Sequence, residues 1–127
     1  MPIAHVALWT TDLEGTASFM REYFDADVGE LYESRRRAGF ASRFVALPSD
    51  PVRIELMSGP WVEEVDYAER RGWDHIAISL GSALNVDELA ARCEAEGMLI
   101  SAPRTTGDGF YEAVIEMPGG IRIEVTS

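Results

Sequence analysis

Two short stretches decide the fold. His5-Val6-Ala7-Leu8 returns as His75-Ile76-Ala77-Ile78, and Arg53-Ile54-Glu55-Leu56 returns as Arg122-Ile123-Glu124-Val125. The His pair is offset by 70 residues and the Glu pair by 69, so the two matches share nearly one register. A single tetrapeptide match carries little weight. Two in register point to a duplicated module.

The residues between these landmarks agree. After His5, Leu13, Ala17, Met20 and Phe24 recur at helical spacing, which predicts an amphipathic helix over 12–24 with Thr11 or Asp12 at its cap. In the second half, Asn85 and Glu88 form an N-x-x-E start resembling a capping box. Leu84 precedes it, Leu89 and Cys93 follow on one face, and Gly97 suits a left-handed C-terminal cap. Strand-like runs follow each helix, at 30–34, 40–47 and 52–57 in the first half and at 98–101, 110–117 and 121–126 in the second. Each half therefore reads strand, helix, strand, strand, strand. One domain over 1–127 is expected, with module 1 at about 1–57, a linker at about 58–72 and module 2 at about 73–127.

Composition narrows the function. A chain of 127 residues with 46% hydrophobic residues is long enough to bury roughly two thirds of its surface. The lone Cys93 excludes an intrachain disulfide framework. With 11 basic against 22 acidic residues the formal charge is −11, a field that repels nucleic acid. All the basic residues are Arg, so Lys-based Schiff-base and P-loop chemistry is impossible. No apolar run is long enough to span a bilayer, and the N-terminal residues lack a signal-peptide pattern. The expectation is a cytoplasmic protein whose partner is a small molecule, with no nucleic acid and no membrane.

The chain holds only two His, and each falls in the first strand of its module. Strand alternation sets His5 on the face of Ala7 and Trp9, and it turns Glu55 and Glu124 away from their aliphatic neighbours. If the modules curve toward one another, His5, Glu55, His75 and Glu124 converge. Two carboxylates sharing a cavity repel unless a divalent cation neutralises them. Two imidazoles complete an N₂O₂ set that suits Zn, Ni, Co, Fe or Mn.

With these residues in place the chain resembles the vicinal oxygen chelate superfamily, in the branch that includes glyoxalase I. The resemblance runs from His5 through Glu55 and His75 to Glu124, and it includes Gly107-Asp108-Gly109-Phe110-Tyr111-Glu112. It implies an α+β fold of two paired βαβββ modules, whose curved mixed sheets form a metal-binding cavity, in a homodimer. It implies a metal-dependent lyase or isomerase that abstracts a proton next to a metal-bound carbonyl of a small oxygenated substrate. By position, Glu124 is then the general base and Glu55 a ligand and second base. Trp9, Arg43 and Tyr111 are the candidate substrate contacts. Arg35-Arg36-Arg37 reads as a solvated hairpin from which one Arg can meet an anionic substrate.

Other members of the superfamily supply the alternatives. Trp9 stands where glyoxalase I proteins carry an Arg for the glutathione carboxylate, so the resemblance carries the metal set further than glutathione recognition. Small-molecule binding or resistance proteins of the bleomycin and fosfomycin types share the fold. An extradiol-type dioxygenase would use Fe(II) on His5, His75 and Glu124, and Glu55 would then fill a position which that chemistry needs open.

Overall fold

The structure is a computed structural model describing residues 1–127. The chain divides into two compact units, Met1–Val65 and Asp66–Ser127. In the first unit β1 (His5–Trp9) leads into α1 (Leu13–Phe24), followed by β2 (Asp27–Val28), β3 (Tyr32–Glu33), β4 (Ala41–Ala46) and β5 (Arg53–Ser58). In the second, β6 (Ile76–Ser79) leads into α2 (Ala83–Ala95), followed by β7 (Leu99–Thr105), β8 (Tyr111–Met117) and β9 (Ile121–Thr126). No helix is long and apolar enough to cross a membrane.

Each unit holds one mixed sheet, and together with the helices these make the fold α+β. The strand order is β1-β5-β4-β2 in the first sheet, with β3 also on β4, and β6-β9-β8-β7 in the second. In both, the first strand of the unit lies parallel to the last, as β1 on β5 and β6 on β9, and the remaining ladders are antiparallel. A strand can lie parallel to its partner only across a long connection, and here that connection contains the helix. The parallel pair matters for chemistry. Its register sets Ala7 beside Glu55 and Ala77 beside Glu124, so each His comes to lie close to its unit's Glu on one sheet face.

Burial explains which face each helix covers. Leu13, Ala17, Met20 and Phe24 are all buried along α1, joined by Phe19, and they meet Val45, Ile54 and Leu56 of the sheet. The start of α1 is pinned by a small polar network. Gly15 N–H donates to Asp12 Oδ1 at 2.9 Å as a helix cap. The buried Thr16 hydroxyl donates to Asp12 O at 2.7 Å, so the Thr10 hydroxyl 2.8 Å away is the one that donates to Thr16. No buried hydroxyl is left unpaired there, which fixes how the end of β1 turns into the helix. Because Leu56 is fully buried against α1, Leu56→Ala is expected to cost about 2–5 kcal/mol of stability. Chemical denaturation reads this, and a loss below about 1 kcal/mol would contradict the packing described.

Some local expectations are corrected. The single strand expected at 30–34 is instead two two-residue strands, Asp27–Val28 and Tyr32–Glu33, flanking Gly29. The second helix begins earlier than the N-x-x-E pattern suggests. Its cap is Ser82, whose hydroxyl accepts from Asn85 N–H at 3.2 Å, while the Asn85 amide donates back to Leu80 O at 2.7 Å. Leu84 is exposed rather than packed. Gly97 does end α2 with φ +73°, and Met98 N–H reaches Cys93 O at 2.8 Å, a Schellman arrangement. Cys93 is fully buried, and burial pushes its thiol up to about 11, so at neutral pH it stays protonated and inert.

Candidate metal centre

The sheet face turned away from each helix carries the chemistry. In the first unit the strand phase leaves His5, Ala7 and Trp9 of β1, Glu55 and Met57 of β5, and Phe44 of β4 on that face. His5 Nε2 lies 3.8 Å from Glu55 Oε2. The His5 ring is braced edge-on by Phe44 at 5.5 Å, and Phe44 sits opposite Glu55 in register. In the second unit His75 stands one residue before β6, and its Nε2 lies 3.2 Å from Glu124 Oε2. The two units thus repeat the same arrangement: an imidazole Nε2 facing a carboxylate oxygen across a parallel strand pair. Both Glu side chains are mostly covered, at 18% exposure each.

The donor chemistry fits a divalent cation. Two donors each ~2.1 Å from one ion, at octahedral to tetrahedral angles, stand roughly 3.0–3.4 Å apart. The 3.2 Å separation falls within that interval and the 3.8 Å separation beyond it. Within each unit the donors form a pair, and no group of three or more His, Cys, Asp or Glu side chains is arranged so as to hold a metal ion.

The second pair has supporting groups that the first lacks. Asp74 Oδ2 is 2.6 Å from His75 Nδ1, and Tyr67 OH donates to Asp74 Oδ1 at 2.6 Å. These two hydrogen bonds, from Tyr67 first and then His75, hold the Asp74 carboxyl below the usual range. An ionised Asp74 accepts a hydrogen bond from Nδ1–H and leaves the Nε2 lone pair available to a metal, the usual way a ligating His is oriented. The side chain of Asp74 therefore does not simply point away from the site, as strand alternation suggests. Because Asp74 precedes β6, alternation does not apply to it.

Glu112, the last residue of the Gly107–Glu112 tract, joins the same face as Glu124. It is buried in β8, hydrogen-bonded to Glu124 and 3.7 Å from Arg104. Burial, and then the hydrogen bond and charge of Glu124, raise its carboxyl above the ordinary range. Its register partner Thr126 has a buried hydroxyl with no hydrogen-bond partner. A signal was present: Ala113, Ile115 and Met117 are the buried apolar phase of β8, which leaves Glu112 on the Glu124 face.

The same phase corrects Tyr111. Its hydroxyl turns to α2 and bonds Asp87 Oδ1 at 2.5 Å, on the face away from Glu124. Arg43 also lies apart from the His5–Glu55 pair. It lies on the α1 side of β4, where Nε bonds Glu14 Oε1 at 2.9 Å and Nη1 bonds Gly29 O at 2.9 Å. Trp9 is on the His5 face, 41% exposed, with edge-on contacts to Phe40 at 5.9 Å and Trp61 at 6.2 Å.

The chain thus repeats one strand–helix–sheet unit, each copy offering a His and a Glu from a parallel strand pair. The chain belongs to the Glyoxalase/Bleomycin resistance protein/Dioxygenase superfamily, whose description matches residues 2–125. Fosfomycin resistance protein FosX of Listeria monocytogenes is 30% identical over 118 residues, covering 87% of this chain and 80% of its own. The structure of a possible glyoxalase from Bacillus cereus superposes with a TM-score of 0.69 at 27% identity, covering 100% of this chain and 99% of its own. The structure of Listeria monocytogenes FosX complexed with Mn(II) and a sulfate ion gives a TM-score of 0.70 at 20% identity, covering 99% of this chain and 91% of its own.

Proposed function

We propose that this chain is a metal-dependent enzyme resembling glyoxalase I, abstracting a proton next to a carbonyl of a small oxygenated substrate. The observation that supports the reading is the duplicated pair, with Nε2 and carboxylate oxygen 3.8 Å apart in one unit and 3.2 Å in the other. His5, Glu55, His75 and Glu124 are the proposed ligands of one divalent ion, in a homodimer. When bound, such an ion polarises the substrate oxygens and so favours loss of the neighbouring proton.

The remaining steps belong to the chain's own groups. Glu124 accepts the substrate proton, and the hydrogen bond from Glu112 orients its carboxylate. Asp74 keeps the His75 ring fixed through Nδ1. Trp9 offers an exposed indole on the His5 face against which an apolar part of the substrate can lie. Glu55 is the second ligand carboxylate and the second candidate base.

Asp74→Asn tests the orienting role. Mn(II) affinity is expected to fall roughly 10–100-fold, read by calorimetric titration without any substrate. Unchanged affinity would remove Asp74 from the site.

A second reading, a fosfomycin-resistance function, is favoured by the 30% identity to Listeria FosX over 118 residues. The protein loaded separately with Mn(II), Ni(II), Co(II) and Zn(II) should be offered the methylglyoxal–glutathione hemithioacetal, free α-ketoaldehydes and fosfomycin. Metal-dependent consumption of a carbonyl substrate supports the first reading. Loss of fosfomycin alone supports the second. A ligand that raises the melting temperature while nothing is consumed would contradict both and indicate a binding protein.

A further inference from the structure

The Arg35-Arg36-Arg37 tract, read from sequence as a solvated hairpin, is built around one of its members. The Arg37 guanidinium carbon lies 4.1 Å from the Trp61 ring centroid, 5.5 Å from Trp9 and 5.8 Å from Phe40. These three rings come from β1, from the approach to β4 and from the segment after β5. They converge on one exposed cation. No carboxylate stands within ion-pair distance of Arg37, although acidic residues outnumber basic ones two to one, 22 against 11.

The hairpin holds this geometry. Arg37 N–H donates to Ser34 Oγ at 3.0 Å, Ser34 N–H to Phe40 O at 3.0 Å, and Phe40 N–H to Arg37 O at 3.0 Å. Two glycines allow the rings to close. Gly39 adopts φ +89°, and a Cβ there would sit 2.8 Å from Pro60 Cδ. A Cβ at Gly59 would sit 2.4 Å from the Trp61 ring. Ring faces hold a guanidinium through its π surface and leave its in-plane N–H fork available for a bidentate acceptor.

We propose that Arg37, framed by Trp9, Trp61 and Phe40, is an oxyanion subsite for a carboxylate or phosphonate group carried on an apolar body. The fork supplies paired charge-assisted hydrogen bonds, and the exposed indoles of Trp9 (41%) and Trp61 (38%) take the apolar part. Trp9 stands two residues along β1 from Ala7, the register partner of Glu55, or about 7 Å, on the same sheet face. An elongated substrate therefore meets the His5–Glu55 pair with one end and Arg37 with the other. That role in the reaction rests on the metal reading above, whereas the subsite itself does not.

The test is a tryptophan-fluorescence titration of chelator-treated protein with two probes, phenylphosphonate and benzoate. At least one probe is expected to give a saturable signal, and the tighter of the two identifies the anion type. Arg37→Gln should weaken that probe about tenfold or more. Arg37→Lys, which keeps the charge without the fork, should fall between. Absence of saturation with both probes, or equal affinity in wild type, Arg37→Lys and Arg37→Gln, would overturn the subsite. Mn(II) titration of the same samples separates the two claims. In the wild type, absence of probe binding with Mn(II) binding intact overturns the subsite alone, and absence of Mn(II) binding with probe binding intact overturns the metal reading alone.

Discussion

Glu124→Gln is expected to lower kcat about 10²–10⁴-fold at saturating metal, the usual worth of a positioned general base. The substitution keeps the shape of the side chain and one acceptor oxygen, and it removes only the ability to take a proton. Glu124 is singled out over Glu55 by its surroundings. It shares a hydrogen bond with the buried Glu112, whose carboxyl is raised from its ordinary value by burial and by Glu124, whereas Glu55 lies beside Phe44 and His5. Glu55→Gln should accordingly cost less turnover than Glu124→Gln. The measurement is steady-state turnover alongside metal content for each variant. A loss of less than tenfold in fully metallated Glu124→Gln would assign the base elsewhere.

The second large effect concerns stoichiometry. His5→Ala and His75→Ala should each abolish tight metal binding, with affinity falling by about 100-fold or more, beyond the loss typical of an outer-shell partner. The two His residues lie in different units, so the numbers distinguish two arrangements. A common ion predicts one metal per chain in the wild type and none in either variant. Independent pairs predict two metals in the wild type and one in each variant. Elemental analysis after dialysis against dilute Mn(II) gives the count directly.

Much of this was legible in the sequence because duplication amplifies weak signals. A lone His5 or Glu55 says little, yet the shared offset of about 70 residues marked both His–Glu pairs and the helix between their strands. The α1 core positions followed from 3.6-residue spacing, and all four expected residues are buried. What was missed has physical causes. Short strands such as β2 and β3 escape a periodicity reading because two residues are too few to show alternation. Tyr111 and Glu112 fall on opposite faces of β8, so only one of them can share the face of Glu124. The buried phase of Ala113, Ile115 and Met117 decides for Glu112. Arg43 looked like an anion contact until its partner on α1, Glu14, was in view, 29 residues away in sequence. Asp74 precedes β6 and meets His75 Nδ1 through its side chain, a contact between neighbours that strand periodicity does not describe.

The most direct test of the central claim is anomalous scattering at the metal edge from crystals grown with Mn(II). The account predicts one strong peak within roughly 2.0–2.4 Å of four atoms: the Nε2 atoms of His5 and His75 and a carboxylate oxygen each from Glu55 and Glu124. Two separate peaks, each on a single His–Glu pair, or a peak held by other residues, would contradict it.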